Sequence, residues 1–159
     1  SLRIFGCHVD DSRETTPQVK ALYEKELRRG LQCLDTYKNF QVQADRLKND
    51  LVNFLIEMKR AGKKVAAYGA AAKGNTLLNY AGVKPDLLPF VYDAASAKQG
   101  KYMPGSHIPI LPPLALVEFN PDFVVILPWN IAEEVTSQLE GLVTKDTKFV
   151  VAVPKLQIK

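Results

Sequence analysis

Val65-Ala66-Ala67-Tyr68-Gly69-Ala70-Ala71-Ala72-Lys73-Gly74-Asn75-Thr76-Leu77-Leu78-Asn79 joins a short β-forming run to a helix through a turn bounded by two glycines. The turn, Gly69 to Gly74, follows the dinucleotide fingerprint G-x-G-x-x-G with Ala71 in the middle glycine's place. The chain needs a glycine where it leaves the strand sharply, and a small residue where a phosphate nears the backbone. It needs a second glycine where helix meets sheet. Free N–H groups at the helix start then face the ligand's negative charge. Gly69, Ala70, Ala71, Lys73, Gly74 and Asn75 are therefore candidate binding residues. Small residues at these positions equally suit plain packing of a helix on a sheet. Asn75-Thr76 after Gly74 excludes the Walker phosphate loop, which requires Lys followed by Ser or Thr.

Downstream, short apolar runs alternate with helical segments. Strands are expected at 64–69, 87–93, 108–110, 123–127 and 148–153. Phe123 to Leu127 is continuously apolar, the pattern of a strand buried on both faces. Such alternation means an α/β fold, a three-layer Rossmann-like parallel sheet with helices on both faces.

Ligands of parallel α/β sheets lie outside the carboxyl ends of the strands. Asp93 ends the second strand, where the fingerprint's acidic residue accepts bonds from ribose hydroxyls. The following loop carries Lys98, Lys101, Tyr102 and His107, suited to a phosphate clamp and a stacking surface. Trp129 and Asn130 follow the fourth strand at the same rim; Trp129 can stack on a ring or pack, and Asn130 can bind or cap a helix. No catalytic residue is expected. His8 and His107 are isolated, Cys7 and Cys33 lack basic neighbours, and no carboxylate pair has the spacing for acid–base work.

Upstream, Leu2 to Gly6 reads as a short strand and residues 10–17 as a linker. Thr16-Pro17 offers a helix start, with the helix running to about Arg29. A second helix is expected over 36–62. Tyr37, Phe40, Ala44, Leu47, Leu51, Phe54 and Met58 recur every three or four residues along it. That stripe suits either a helix lying across a sheet or a homodimer seam.

The net charge of +4, from 21 basic and 17 acidic residues, suits an anionic small molecule. Lys and Arg interleave with acids, so no nucleic-acid partner is expected. No apolar run reaches 18 residues, so no membrane span is expected. Two cysteines without CxxC spacing make neither a disulfide framework nor a zinc site, and a reducing cytoplasm is the expected location. A chain opening on Ser1 without an initiator Met reads as cut from a longer protein.

Residues 65–79, Gln99 to Pro113 and Ile126 to Asn130 together resemble the C-terminal domain of bacterial nucleotide-sugar C-methyltransferases, as does the opening Ser1-Leu2-Arg3. The resemblance implies strand order 3-2-1-4-5. It also implies a domain at 16–159, with its N-terminal helices at 16–62, behind a tail at 1–15 left from the preceding methyltransferase domain. On this resemblance the domain holds a dTDP-linked keto-sugar for that upstream domain of the same chain. The catalytic base, S-adenosylmethionine and zinc would lie upstream, with no cofactor or metal here and no catalysis by this fragment alone. The residues leave open a stand-alone NAD- or CoA-binding Rossmann-type sensor or assembly domain.

Overall fold

The computed structural model describes residues 2–159; Ser1, at the head of the expected tail, lies outside the described residues. The chain divides into two compact units, residues 1–41 and 42–159. In the first, helix α1 spans Pro17–Arg28 and α2 spans Asp35–Lys38. Thr16 is extended and Pro17 takes the first helical position, where its missing N–H costs nothing. Gly30 closes α1, its φ of 68° allowing its N–H to reach the Leu27 carbonyl.

Two expectations for this region need correction. Residues 2–8 carry no strand, because β-forming side chains make a strand only when a partner takes up their backbone groups, and Leu2, Ile4 and Phe5 are exposed instead. The expected single helix 36–62 is broken at Asn39 into α2 and α3, Phe40–Arg60. Asn39 has φ −95° and ψ 5°, outside the helical well.

The second unit is built on a six-stranded sheet of order β3-β2-β1-β4-β5-β6. Its strands are β1 (Val65–Tyr68), β2 (Val91–Tyr92), β3 (Ile110–Leu111), β4 (Phe123–Ile126), β5 (Lys148–Val151) and β6 (Gln157–Ile158). β1 to β5 are parallel in the expected order 3-2-1-4-5, and β6 adds an antiparallel edge beside β5. Helices α4 (Ala72–Tyr80), α5 (Ala115–Phe119) and α6 (Ala132–Leu139) connect them.

Successive side chains of a strand point to opposite faces, so each strand contributes to two cores. Val65, Ala67, Val125, Leu127 and Val150 face Leu51, Phe54 and Leu55 of α3 and Leu77 and Leu78 of α4. Ala66, Tyr68, Tyr92, Val124, Ile126 and Phe149 face Leu116 of α5 and Val135 and Leu139 of α6. Leu47, Leu51, Phe54 and Met58, the lower half of the long stripe, therefore lie against the sheet. β2 is shorter than expected because Leu87 and Leu88 both donate to the Lys84 carbonyl, forming a turn rather than a ladder.

Asp122, just before β4, ties the far ends of the strands together. Its carboxylate accepts from Lys63 Nζ at 2.9 Å and from the Lys64 N–H at 2.8 Å. The Lys63 hydrogen bond, then the Lys64 N–H, hold its pKa below the ordinary value of 3.8. A depressed folded pKa contributes stability that is complete above the unfolded value and disappears as pH falls through the folded one. Asp122→Asn should therefore flatten the acid side of the stability curve below pH 4, and Asp122→Ala should cost about 1 kcal/mol at neutral pH, the pair being partly exposed. Urea unfolding of both variants from pH 2.5 to 7 checks this; an unchanged acid limb refutes it.

Candidate functional site

β1, β2 and β4 are parallel, with Tyr68 in register with Tyr92 on one side and Ile126 on the other. Their carboxyl ends thus release Gly69, Asp93 and Leu127-Pro128 at one rim. Gly69 turns the chain with φ 90°, and a Cβ on it would lie 2.5 Å from Pro128 Cδ. Glycine is required there twice over, by the dihedral and by the approach. Gly74 faces Leu127 so closely that an added Cβ would lie 2.5 Å from the Leu127 Cβ. The two glycines of the fingerprint thereby seat the start of α4 on the end of β4.

α4 begins after Ala71, which is extended and provides no side-chain cap. The first N–H groups of a helix have no intrahelical acceptor, so this end is electropositive and open to an anion. Opposite it stands the loop between β2 and β3, folded back on itself. Gly100 N–H donates to the Ile110 carbonyl and Ile110 N–H to that of Lys101, while Met103 N–H donates to Ile108. Asn79 of α4 fastens the loop tip by donating from Nδ2 to the Pro104 carbonyl at 2.9 Å, and Lys84 Nζ reaches the Gly105 carbonyl at 2.6 Å.

Between loop and helix lies a cavity of about 430 Å³. Ala70, Ala71, Ala72 and Asn75 form one wall; Lys98, Lys101, Tyr102 and the apolar Met103, Pro104 and Ile110 form the other. Volume and lining match a small-molecule site, mostly apolar with a few convergent polar groups. Asn75 Oδ1 is buried here without a hydrogen-bond partner. Among the described residues, Lys101 is exposed and makes no ion pair, whereas Lys98 lies 3.0 Å from an Asp93 oxygen.

Of the remaining sequence candidates, Lys73, Trp129 and Asn130 form a separate group beside Pro128. Lys73 Nζ donates to Asn130 Oδ1 at 3.1 Å and stands 5.4 Å from the Trp129 ring centre. None of the three lines the cavity. His107 is exposed at the loop tip with φ 60°, its N–H bonded to the Met103 carbonyl, also outside the lining. Asp93 lies under the glycine turn, 7% exposed, and accepts from Ala70 N–H, Ala95 N–H and Lys98.

Asn79, Met103, Pro104 and Ile110 were not singled out from sequence. Asn79 sits one turn after Asn75, and that i, i+4 pair of asparagines on one face of the helix was the available signal. Near the rim, burial and the Asp93 charge hold the Tyr68 hydroxyl above its ordinary pKa of 10, and burial, then Glu118, push Tyr92 up to about 12. Both stay neutral at physiological pH. Among the described residues, no group of three or more His, Cys, Asp or Glu is placed to hold a metal ion, and no helix is long and apolar enough to cross a membrane.

A family model described as the C-methyltransferase C-terminal domain matches residues 1–154. The chain is 29% identical over 158 residues to the C-methyltransferase NovU of Streptomyces niveus, covering 99% of this chain and 38% of that protein. Among solved structures, the UDP-D-quinovosamine 4-dehydrogenase of Vibrio fischeri matches 61% of this chain and 91% of its own, with a TM-score of 0.45 at 20% identity.

Proposed function

From the premise that this chain belongs to the C-methyltransferase C-terminal domain family, we propose that it is the substrate-holding domain of an S-adenosylmethionine-dependent sugar C-methyltransferase. The cavity binds the diphosphate end of a nucleotide-linked keto-sugar. One observation carries the reading: the uncapped start of α4 faces the unpaired Lys101 across a cavity of about 430 Å³. The diphosphate lies against the N–H groups of the first turn, with Lys101 as counter-charge. A ring of the ligand rests on Tyr102, and Asn75 stands on the opposite wall of the cavity.

Methylation at carbon requires a base to take the proton beside the ketone, then attack of the enolate on the cofactor's methyl group. The lone histidines, the neutral Tyr68 and Tyr92 and the occupied Asp93 provide no such base at this cavity. In this reading the base and S-adenosylmethionine belong to another part of the protein, and the domain contributes affinity and orientation.

Calorimetric titration of the 159-residue chain with dTDP, NAD and coenzyme A tests the proposal. dTDP should bind, and NAD should bind at least tenfold more weakly. A folded sample that gives no heat with dTDP, or prefers NAD, overturns it.

A further inference from the structure

In the dinucleotide fingerprint the acidic residue ending the second strand accepts bonds from the ribose hydroxyls. Asp93 occupies that position, but its carboxylate is taken. Oδ2 accepts from the Ala70 N–H at 2.7 Å and from Lys98 Nζ at 3.0 Å, and Oδ1 accepts from the Ala95 N–H at 2.8 Å. Its own N–H donates to the Leu111 carbonyl, and its carbonyl accepts from Gln99 Nε2 at 3.0 Å. A carboxylate offers about four acceptor positions. Three are filled, and the residue is 7% exposed, so little of the carboxylate is open to a ligand. Asp93 is absent from the cavity lining, yet Ala70 and Lys98, two of the groups it holds, are part of it.

We infer that Asp93 is a positioning residue that latches the glycine turn to the β2–β3 loop, and that the site does not read the ribose 2′-hydroxyl. The inference rests on the nucleotide-binding reading above and specifies it. A ribose diol would have to displace an internal N–H or the Lys98 ammonium to reach this carboxylate, leaving a buried donor unpaired. Recognition falls instead on the diphosphate and on the rings at either end, which a 2′-hydroxyl does not alter.

UDP and dUDP differ only in that hydroxyl, so they test the inference directly. Their dissociation constants for the 159-residue chain should agree within about threefold, since one net hydrogen bond would separate them about fivefold or more. Asp93→Asn should weaken both by about tenfold with their ratio unchanged, because the amide puts a donor where a donor already points. The latch has a ligand-free readout in amide hydrogen exchange. Ala70 and Ala95 should exchange at least tenfold faster in Asp93→Asn than in the wild-type chain, while the β1 and β4 amides stay protected.

A preference for UDP over dUDP of more than about threefold, or an Asp93→Asn variant that weakens UDP alone, makes Asp93 a ribose contact and overturns the inference. Unchanged exchange at Ala70 overturns the latch. Absence of binding by both nucleotides overturns the nucleotide reading and the ribose statement with it, while the exchange rates still decide the latch.

Discussion

Gly74→Val should lower the stability of the 42–159 unit by about 3 kcal/mol, and its melting temperature by roughly 8 °C. In an open helix the change would be favourable, since glycine costs about 1 kcal/mol there relative to alanine. At this position the new Cβ meets the Leu127 Cβ at 2.5 Å and its Cγ and Cδ1 at 3.1 Å. The nearest obstacle is the root of a side chain, which no rotamer change removes, so α4 must lift from β4. Close-packed interiors yield little to such a demand. Gly74→Ala carries the same clash with less bulk and should cost about 1 kcal/mol net, the sign opposite to helix propensity. Thermal melts of both variants settle the matter: a stabilised Gly74→Ala would show that the helix start has room to move. If Gly74→Val folds, it should also bind dTDP more weakly, because the displaced first turn carries the N–H groups aimed at the diphosphate.

The same contact shows why the core of the fold could be read from sequence. Strands buried on both faces must be apolar throughout, and Phe123 to Leu127 announces itself that way. The pair Gly69 and Gly74 marks where one strand passes into its helix. Less could be read where composition and conformation part. Leu88 is fully buried and looks like strand, yet it reaches the core from a turn, because burial alone does not choose between turn and ladder. β6 is two residues long, too short to carry any period. Leu2 to Gly6 has strand-forming residues, but a strand exists only through its partner.

At the site, Asp93 stands at the expected rim, while the direction of its carboxylate was hidden. Two of its three donors are backbone N–H groups of alanines, Ala70 and Ala95, and a backbone donor leaves no trace in residue type. Lys98 and Lys101 looked alike in sequence for a similar reason. Only the folded loop brings Lys98 to an acid and leaves Lys101 without one.

That distinction makes Lys101→Glu the substitution with the largest expected effect on binding. An ammonium about 4 Å from a diphosphate, at the effective dielectric of a protein surface, contributes up to about 4 kcal/mol, and nearer 1 kcal/mol where water intervenes. Reversal removes the attraction and adds repulsion, so dTDP affinity should fall by roughly 2–3 kcal/mol, about 30- to 150-fold. Lys98→Gln should cost less, since it changes the charge at the cavity by one unit where Lys101→Glu changes it by two. Titrations at 20 and 200 mM salt separate charge from shape: the Lys101→Glu deficit should shrink at the higher salt. Melting temperatures should stay within about 2 °C of the unaltered chain, because exposed Lys101 supports no packing. Lys101→Glu binding within twofold of the unaltered chain at low salt would place the diphosphate elsewhere. The group formed by Lys73, Trp129 and Asn130 beside Pro128 would then be the alternative, because Lys73 belongs to the first turn of α4.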